Sequence, residues 1–121
     1  MVYRIMIVED EYWTAMHLAM EVRDRGAVVV GPISSVPQAI ELLAGDDCPH
    51  AVILDIQLRA NEAFPFADLL MKTGIPFVLA TGYEKEELPE RFADIPHFVK
   101  PFSDGDCVAA ALELAKAHAL P

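Results

Sequence analysis

Short runs of consecutive apolar residues alternate along this chain with longer stretches in which apolar residues recur every three or four positions. The runs Arg4–Val8, Ala27–Val30, Ala51–Leu54, Pro76–Ala80 and His97–Val99 are too short for helices and rich in β-branched residues, so they predict strands. Ala27–Val30 is apolar throughout, the pattern of a strand covered on both faces. Between them the spacing predicts helices. The first spans about 11–25, with Tyr12, Ala15, Met16, Ala19 and Val22 on one face and Gly26 as its left-handed stop. Ser35-Val36-Pro37-Gln38 reads as a capping box opening a second helix that buries Val36, Ala39, Ile40 and Leu43 and ends near Gly45. Pro65 suits the first turn of a third, which carries Phe66, Leu69 and Leu70 and stops at Gly74. A fourth, Glu84–Phe92, is short, acidic and interrupted by Pro89, which cannot donate to a helix ladder, so it is predicted to be short or mobile. Ser103 caps the last helix, whose buried stripe is Val108, Ala111, Leu112 and Ala115, with Asp104 and Asp106 at its positive end. Strands alternating with helices predict an α/β fold with a doubly wound, five-stranded parallel sheet of order 2-1-3-4-5, the flavodoxin-like arrangement. The 121 residues form one domain, 1–121, without repeats or linkers.

Composition narrows the function classes. The net charge of −10 disfavours nucleic acid and anionic membranes, both of which need Lys and Arg to neutralise phosphates. No apolar run approaches the roughly 20 residues of a membrane span, and the first residues lack the features of a signal peptide. A cytoplasmic location is the expectation. Cys48 and Cys107 form no metal-binding or redox spacing and are read as reduced, packed thiols.

The chemistry lies at the strand ends. In an open parallel sheet, ligands bind beyond the carboxyl ends of the strands, where the strand order reverses. The first strand ends in Glu9 and Asp10, the third in Asp55, the fourth in Thr81 and the fifth in Lys100, followed by Pro101. The first and third strands are neighbours in the predicted order, so three carboxylates converge and raise one another's pKa. A hard divalent cation relieves that conflict, and Mg²⁺ commonly bridges carboxylates to a phosphate. Asp55 is then the nucleophile candidate, held rigidly by its strand with an accessible tip, because carboxylates form aspartyl-phosphate intermediates. The three equatorial oxygens of a transferred phosphoryl group would meet Mg²⁺, the Lys100 ammonium and the Thr81 hydroxyl, with the Gly82 backbone N–H assisting.

With these residues in place, the chain resembles the receiver domain of two-component response regulators over essentially its whole length. The resemblance rests on Val8-Glu9-Asp10-Glu11, Val52-Ile53-Leu54-Asp55, Thr81-Gly82 and Lys100-Pro101-Phe102, four motifs in order at this spacing. It implies that Asp55 accepts phosphate from a sensor histidine kinase or a phosphotransfer protein, and that the domain catalyses its own phosphorylation and dephosphorylation without being a turnover enzyme. It implies that Asp10 ligates Mg²⁺ directly, that Glu9 acts through water, that the backbone carbonyl of Gln57 completes the set, and that the Lys100–Pro101 bond is cis. Leu79-Ala80-Thr81-Gly82-Tyr83 also resembles the F-A-T-G-[G/Y] subgroup of alphaproteobacterial single-domain receivers, which is associated with HWE-type kinases, although Leu79 replaces the Phe.

One departure concerns the switch residues Thr81, His97, Lys100 and Pro101. Receivers usually carry Tyr or Phe three residues before the Lys, and this chain has His97. Phe98 should face the other way, since side chains alternate along a strand. His97 is read either as a half-exposed surface residue or as an alternative, pH-sensitive switch contact. Output to a downstream protein partner, or weak dimerisation of an otherwise monomeric chain, is expected at the fourth helix, fifth strand and fifth helix. Cys107, Ala110 and Leu114 offer a second apolar stripe there. Two other classes fit poorly. A haloacid-dehalogenase-type phosphatase needs an acid where Gln57 stands, and a flavodoxin-like cofactor carrier needs a Ser, Thr and Gly loop where Glu9-Asp10-Glu11 stands. A degenerate receiver, acting as a phosphorylation-independent interaction module, is the remaining alternative.

Overall fold

In the computed structural model, which describes residues 1–56 and 60–119, five parallel strands lie in the order β2-β1-β3-β4-β5. They are β1 (Arg4–Val8), β2 (Val28–Ile33), β3 (Ala51–Leu54), β4 (Phe77–Thr81) and β5 (His97–Val99). Four α-helices cover them: α1 (Tyr12–Asp24), α2 (Val36–Leu43), α3 (Ala60–Thr73) and α4 (Asp104–Ala119). The predicted fold and strand order are those observed.

The alternation of side chains along the strands divides the core in two. Met6, Val8, Val52, Leu54, Phe77 and Leu79 face α2 and α3. Ile5, Ile7, Ala51, Ile53, Val78 and Ala80 face α1 and α4. All of β1, β3 and β4 beyond Arg4 is buried, so these central strands read as unbroken apolar runs. β2 departs from expectation. It runs to Ile33 rather than Val30, and Val28 is exposed, because it is an edge strand with one neighbour.

β2 also carries an extra residue. Met6 pairs with Val30 but Val8 with Ile33, so the register slips by one across Gly31-Pro32. Gly31 sits at φ +104°, where a Cβ would come within 2.7 Å of the Ile33 nitrogen, so only glycine fits. The slip brings the Ile33 carbonyl to the Glu9 N–H at 2.9 Å, fixing the first acidic residue at the sheet's edge.

Capping residues act as their sequence predicts. Gly26 and Gly74 adopt positive φ after α1 and α3. The Ser35 Oγ accepts the Gln38 N–H at 3.3 Å and the Ser103 Oγ accepts the Asp106 N–H at 3.2 Å. Four helical expectations change, the first being Ile40 of α2, which is exposed while Val36 and Ala39 are buried. α1 buries Leu18 with Ala15, Ala19 and Val22, while Tyr12 turns out to solvent. α3 starts at Ala60, so Pro65 lies inside it rather than in its first turn. Residues 84–92 form no α-helix. Pro89 separates two single-turn 3-10 helices, Lys85–Glu87 and Glu90–Phe92, since each residue group is too short to support a ladder once its donor is lost. The second apolar stripe on α4 is not an open face either. Cys107 is fully buried, and Ala110 and Leu114 pack half-buried against the same core. No helix among the described residues is long and apolar enough to cross a membrane.

Candidate functional site

The carboxyl ends of β1, β3, β4 and β5 bring the predicted residues to one edge of the sheet. Adjacent register between β1 and β3 sets Val8 beside Leu54, and the Asp55 N–H donates to the Val8 carbonyl at 2.9 Å. Glu9, Asp10 and Asp55 therefore meet, each with a carboxylate oxygen within 4.8 Å of the others. Asp10 is exposed, whereas Glu9 is 3% and Asp55 2% exposed. The Asp55 tip is thus less open than its strand-end position predicts.

Lys100 explains why. Its Nζ lies 2.8 Å from the Glu9 Oε1 and 3.1 Å from the Asp55 Oδ2, bridging the two buried carboxylates. The repulsion expected among the three acids is offset in part from within the chain. The Lys100 backbone is held by its N–H donating to the Thr81 carbonyl at 2.8 Å, so the two strand-end residues are coupled through their main chains. The Lys100–Pro101 bond is cis.

Electrostatics mark Glu9 as the strained member. Burial pushes its carboxyl up to about 7, reinforced by the neighbouring Asp55 and only partly countered by Lys100. Burial works against the Lys100 ammonium too, yet its pairing with Glu9 and Asp55 outweighs that and raises its pKa. The Glu9 Oε2 accepts the Glu11 N–H at 3.1 Å. Its Oε1 is buried and receives no donor in hydrogen-bond geometry, so the Lys100 contact there is a close charge pairing rather than a directed bond. A buried carboxylate oxygen without a directed donor, beside two further carboxylates, is a donor set of hard oxygens that suits a small divalent cation. A groove of about 350 Å³ lined by Glu9, Asp10, Tyr12, Met16 and Arg23 opens beside it. Gln57 lies outside the described residues.

Thr81 is fully buried, and its Oγ1 accepts the Tyr83 N–H at 3.2 Å. The hydroxyl keeps its own proton for donation. His97 on β5 pairs with Leu79 on β4 and is half-buried, with an enclosed Nε2 that has no hydrogen-bond partner among the described residues. Phe98 points to the opposite face, packing against the α1 and α4 core with Phe102 at 6.4 Å. The strand-end rule locates these side chains, but two contacts it does not reveal. One is the Glu9–Lys100 pairing, which depends on side-chain reach past the two strands, β3 and β4, that lie between β1 and β5. The other is a contact between α3 and the segment after β4, where Arg91 meets Asp68 at 2.7 Å.

No family model matches the chain. Among characterised proteins, it is 34% identical over 116 residues to the transcriptional regulatory protein PdtaR of Mycobacterium tuberculosis, an alignment covering 93% of this chain and 56% of that protein. The chain therefore spans little more than half the length of that relative. Among solved structures, it is similar to SdrG from Pseudomonas melonis Fr1 in its BeF3-activated conformation, at 38% identity and a TM-score of 0.75, covering 92% of this chain and 93% of that one. The receiver domain of the PhyR response regulator of Erythrobacter litoralis superposes with a TM-score of 0.76 at 26% identity, covering 96% and 91%. With the acidic cluster and Lys100 at the predicted strand ends, this similarity over nearly the full length of both chains gives the identification: the chain belongs to the receiver domains of response regulators.

Proposed function

We propose that residues 1–121 act as one phosphoacceptor receiver domain, with Asp55 taking a phosphoryl group from a histidine kinase or a phosphotransfer protein. The observation that carries this reading is the Lys100 ammonium set between Glu9 and Asp55, within 3.1 Å of the proposed nucleophile. In the reaction, an Asp55 oxygen bonds to phosphorus as the donor's P–N bond breaks, and the imidazole leaves with a proton. Glu9, Asp10 and Asp55 are the residues that would hold Mg²⁺, which supplies positive charge at the phosphoryl oxygens when bound. The Gln57 carbonyl is kept as a fourth ligand by resemblance alone.

The chain's own groups supply the rest. Lys100 leaves its charge pair with Asp55 to meet a phosphoryl oxygen, which uncovers the carboxylate for attack. Thr81 donates its hydroxyl proton to a second oxygen. Because the Lys100 N–H and the Thr81 carbonyl are bonded, both responses pull on the ends of β4 and β5 together. The signal then passes to a downstream protein through the face formed by residues 83–96, β5 and α4, on which a weak dimer of the monomeric chain could also form. His97, on β5, stands at the position of the usual aromatic switch. Leu79-Ala80-Thr81-Gly82-Tyr83 supports an HWE-type kinase as the donor.

The test is intact mass after incubation with acetyl phosphate and Mg²⁺. Wild type should gain one phosphoryl group and Asp55→Asn none, since the amide lacks a nucleophilic oxygen. Labelling that persists in Asp55→Asn refutes the assignment. Absence of labelling in both favours the phosphorylation-independent module.

A further inference from the structure

The segment after β4 packs lightly, with Tyr83, Leu88 and Ile95 only partly buried against the core. Among the described residues from Gly82 to Pro96, only Phe92 is buried. Its two 3-10 turns are closed by local hydrogen bonds, such as Leu88 N–H to the Lys85 carbonyl and Phe92 N–H to the Pro89 carbonyl. Such short turns have little stability of their own. Beyond that packing, a cycle of four side chains ties the segment to α3. Phe92 stacks on Phe64 of α3, with ring centres 5.9 Å apart and planes 23° apart. The Arg91 guanidinium lies 4.6 Å from the Phe92 ring centre. It also grips Asp68 with two parallel bonds, Nε to Oδ1 at 2.7 Å and the terminal nitrogen to Oδ2 at 3.1 Å. Phe64 and Asp68 are four residues apart, one above the other on α3, so one helix face presents both halves of the socket. A bidentate Arg–carboxylate pair backed by an aromatic ring is the geometry in which an exposed ion pair has a measurable effect.

The near end of the same segment is bonded to the site. The Tyr83 N–H donates to the Thr81 Oγ1, so reorientation of that hydroxyl toward a phosphoryl group disturbs the segment's first residues while Asp68 and Phe64 hold its far end. We propose that Arg91, Asp68, Phe92 and Phe64 form a latch that clamps the 82–96 segment to α3 and sets the resistance that phosphorylation must overcome to move it. This regulatory role rests on Asp55 being the phosphoacceptor; the latch itself does not.

Amide hydrogen exchange over residues 83–95 separates the two. Asp68 and Arg91 side chains are 46% and 50% exposed, so their removal leaves the core intact. Without any phosphoryl mimic, Asp68→Ala and Arg91→Ala should each speed exchange at Leu88, Phe92, Ala93 and Ile95 by about 5-fold. The double variant should be no faster than either, and the swap of Asp68→Arg with Arg91→Asp should recover part of the protection. Unchanged exchange in the single variants, or additive effects in the double, overturns the latch. Beryllofluoride with Mg²⁺ is then titrated while the Thr81 and Tyr83 amide shifts are followed. Its midpoint should fall in Asp68→Ala by the same factor by which exchange rises, because a ligand and a latch acting on one equilibrium are linked. A midpoint equal to wild type, with exchange raised, overturns the regulatory role. Failure of beryllofluoride to perturb even wild type counts against the phosphoacceptor reading, while the exchange data still decide the latch.

Discussion

Replacing Glu9 by Gln should make the metal-free protein more stable, and by an amount that depends on pH. The Glu9 carboxyl ordinarily titrates near 4.5 and is pushed up to about 7 by burial and by Asp55. A group whose pKa is higher in the folded state binds more protons there than in the unfolded chain, so stability falls as pH rises between the two values. The contribution of protonated Glu9 is fully present below about 4.5 and is lost by the time pH has passed about 7. At about 1.4 kcal/mol per pH unit, that interval sets a ceiling of about 3 kcal/mol on the cost of the buried carboxylate at pH 8. Gln carries no such titration. It also loses the pairing with Lys100, which exists only while Glu9 is ionised and is already counted in the net upward shift of Glu9. The readout is the difference between the two proteins. Thermal unfolding in a chelating buffer at pH 5, 6, 7 and 8 should give similar values at pH 5. By pH 8 the Gln variant should have gained up to about 12 °C, taking about 4 °C per kcal/mol for a chain of this size. Saturating Mg²⁺ should remove the wild-type decline, since neutralisation of the carboxylates replaces protonation. Parallel curves for the two proteins from pH 5 to pH 8 would refute the reasoning.

Three further outcomes test the site and its frame. Mg²⁺ should raise the melting temperature of wild type by binding only the folded site, and Asp10→Asn should abolish that rise while leaving the metal-free protein as stable or more so; an undiminished Mg²⁺ response in the variant removes Asp10 from the metal site. Lys100→Ala leaves Glu9 and Asp55 buried without their cation, so its destabilisation should be larger at pH 8 than at pH 5, and its phosphorylation should no longer shift residues 83–96; equal losses at both pH values contradict the charge-pairing role. Phe92→Ala removes the one buried anchor of the segment after β4 and should cost about 3 kcal/mol in urea unfolding, whereas a cost below about 1 kcal/mol would mean that the ring is not held by its stack on Phe64.

The sheet and the strand ends that carry the site residues are legible in the residue pattern. An unbroken apolar run such as Ala51–Leu54 fits a strand covered on both faces, and strand ends then dictate where Glu9, Asp10, Asp55, Thr81 and Lys100 converge. Ser35, Ser103, Gly26 and Gly74 signalled their helix ends because capping is local chemistry between near neighbours. The remaining features depend on contacts between residues far apart in the chain. Whether Val28 is covered follows from β2 being an edge strand, and the bulge at Gly31 is visible only against the register of β1. Residues 84–92 carry a weak helical pattern broken by Pro89, too few residues for propensity to fix their shape. Their conformation is set instead by Phe64 and Asp68 on a distant helix. Glu9 gives the sharpest case. Its type and position predict a carboxylate near the site, but its shift toward neutrality comes from burial, and its pairing with Lys100 from the meeting of strands 1, 3 and 5. Charge interactions fall off with distance and strengthen with burial, and neither quantity exists until the chain has folded.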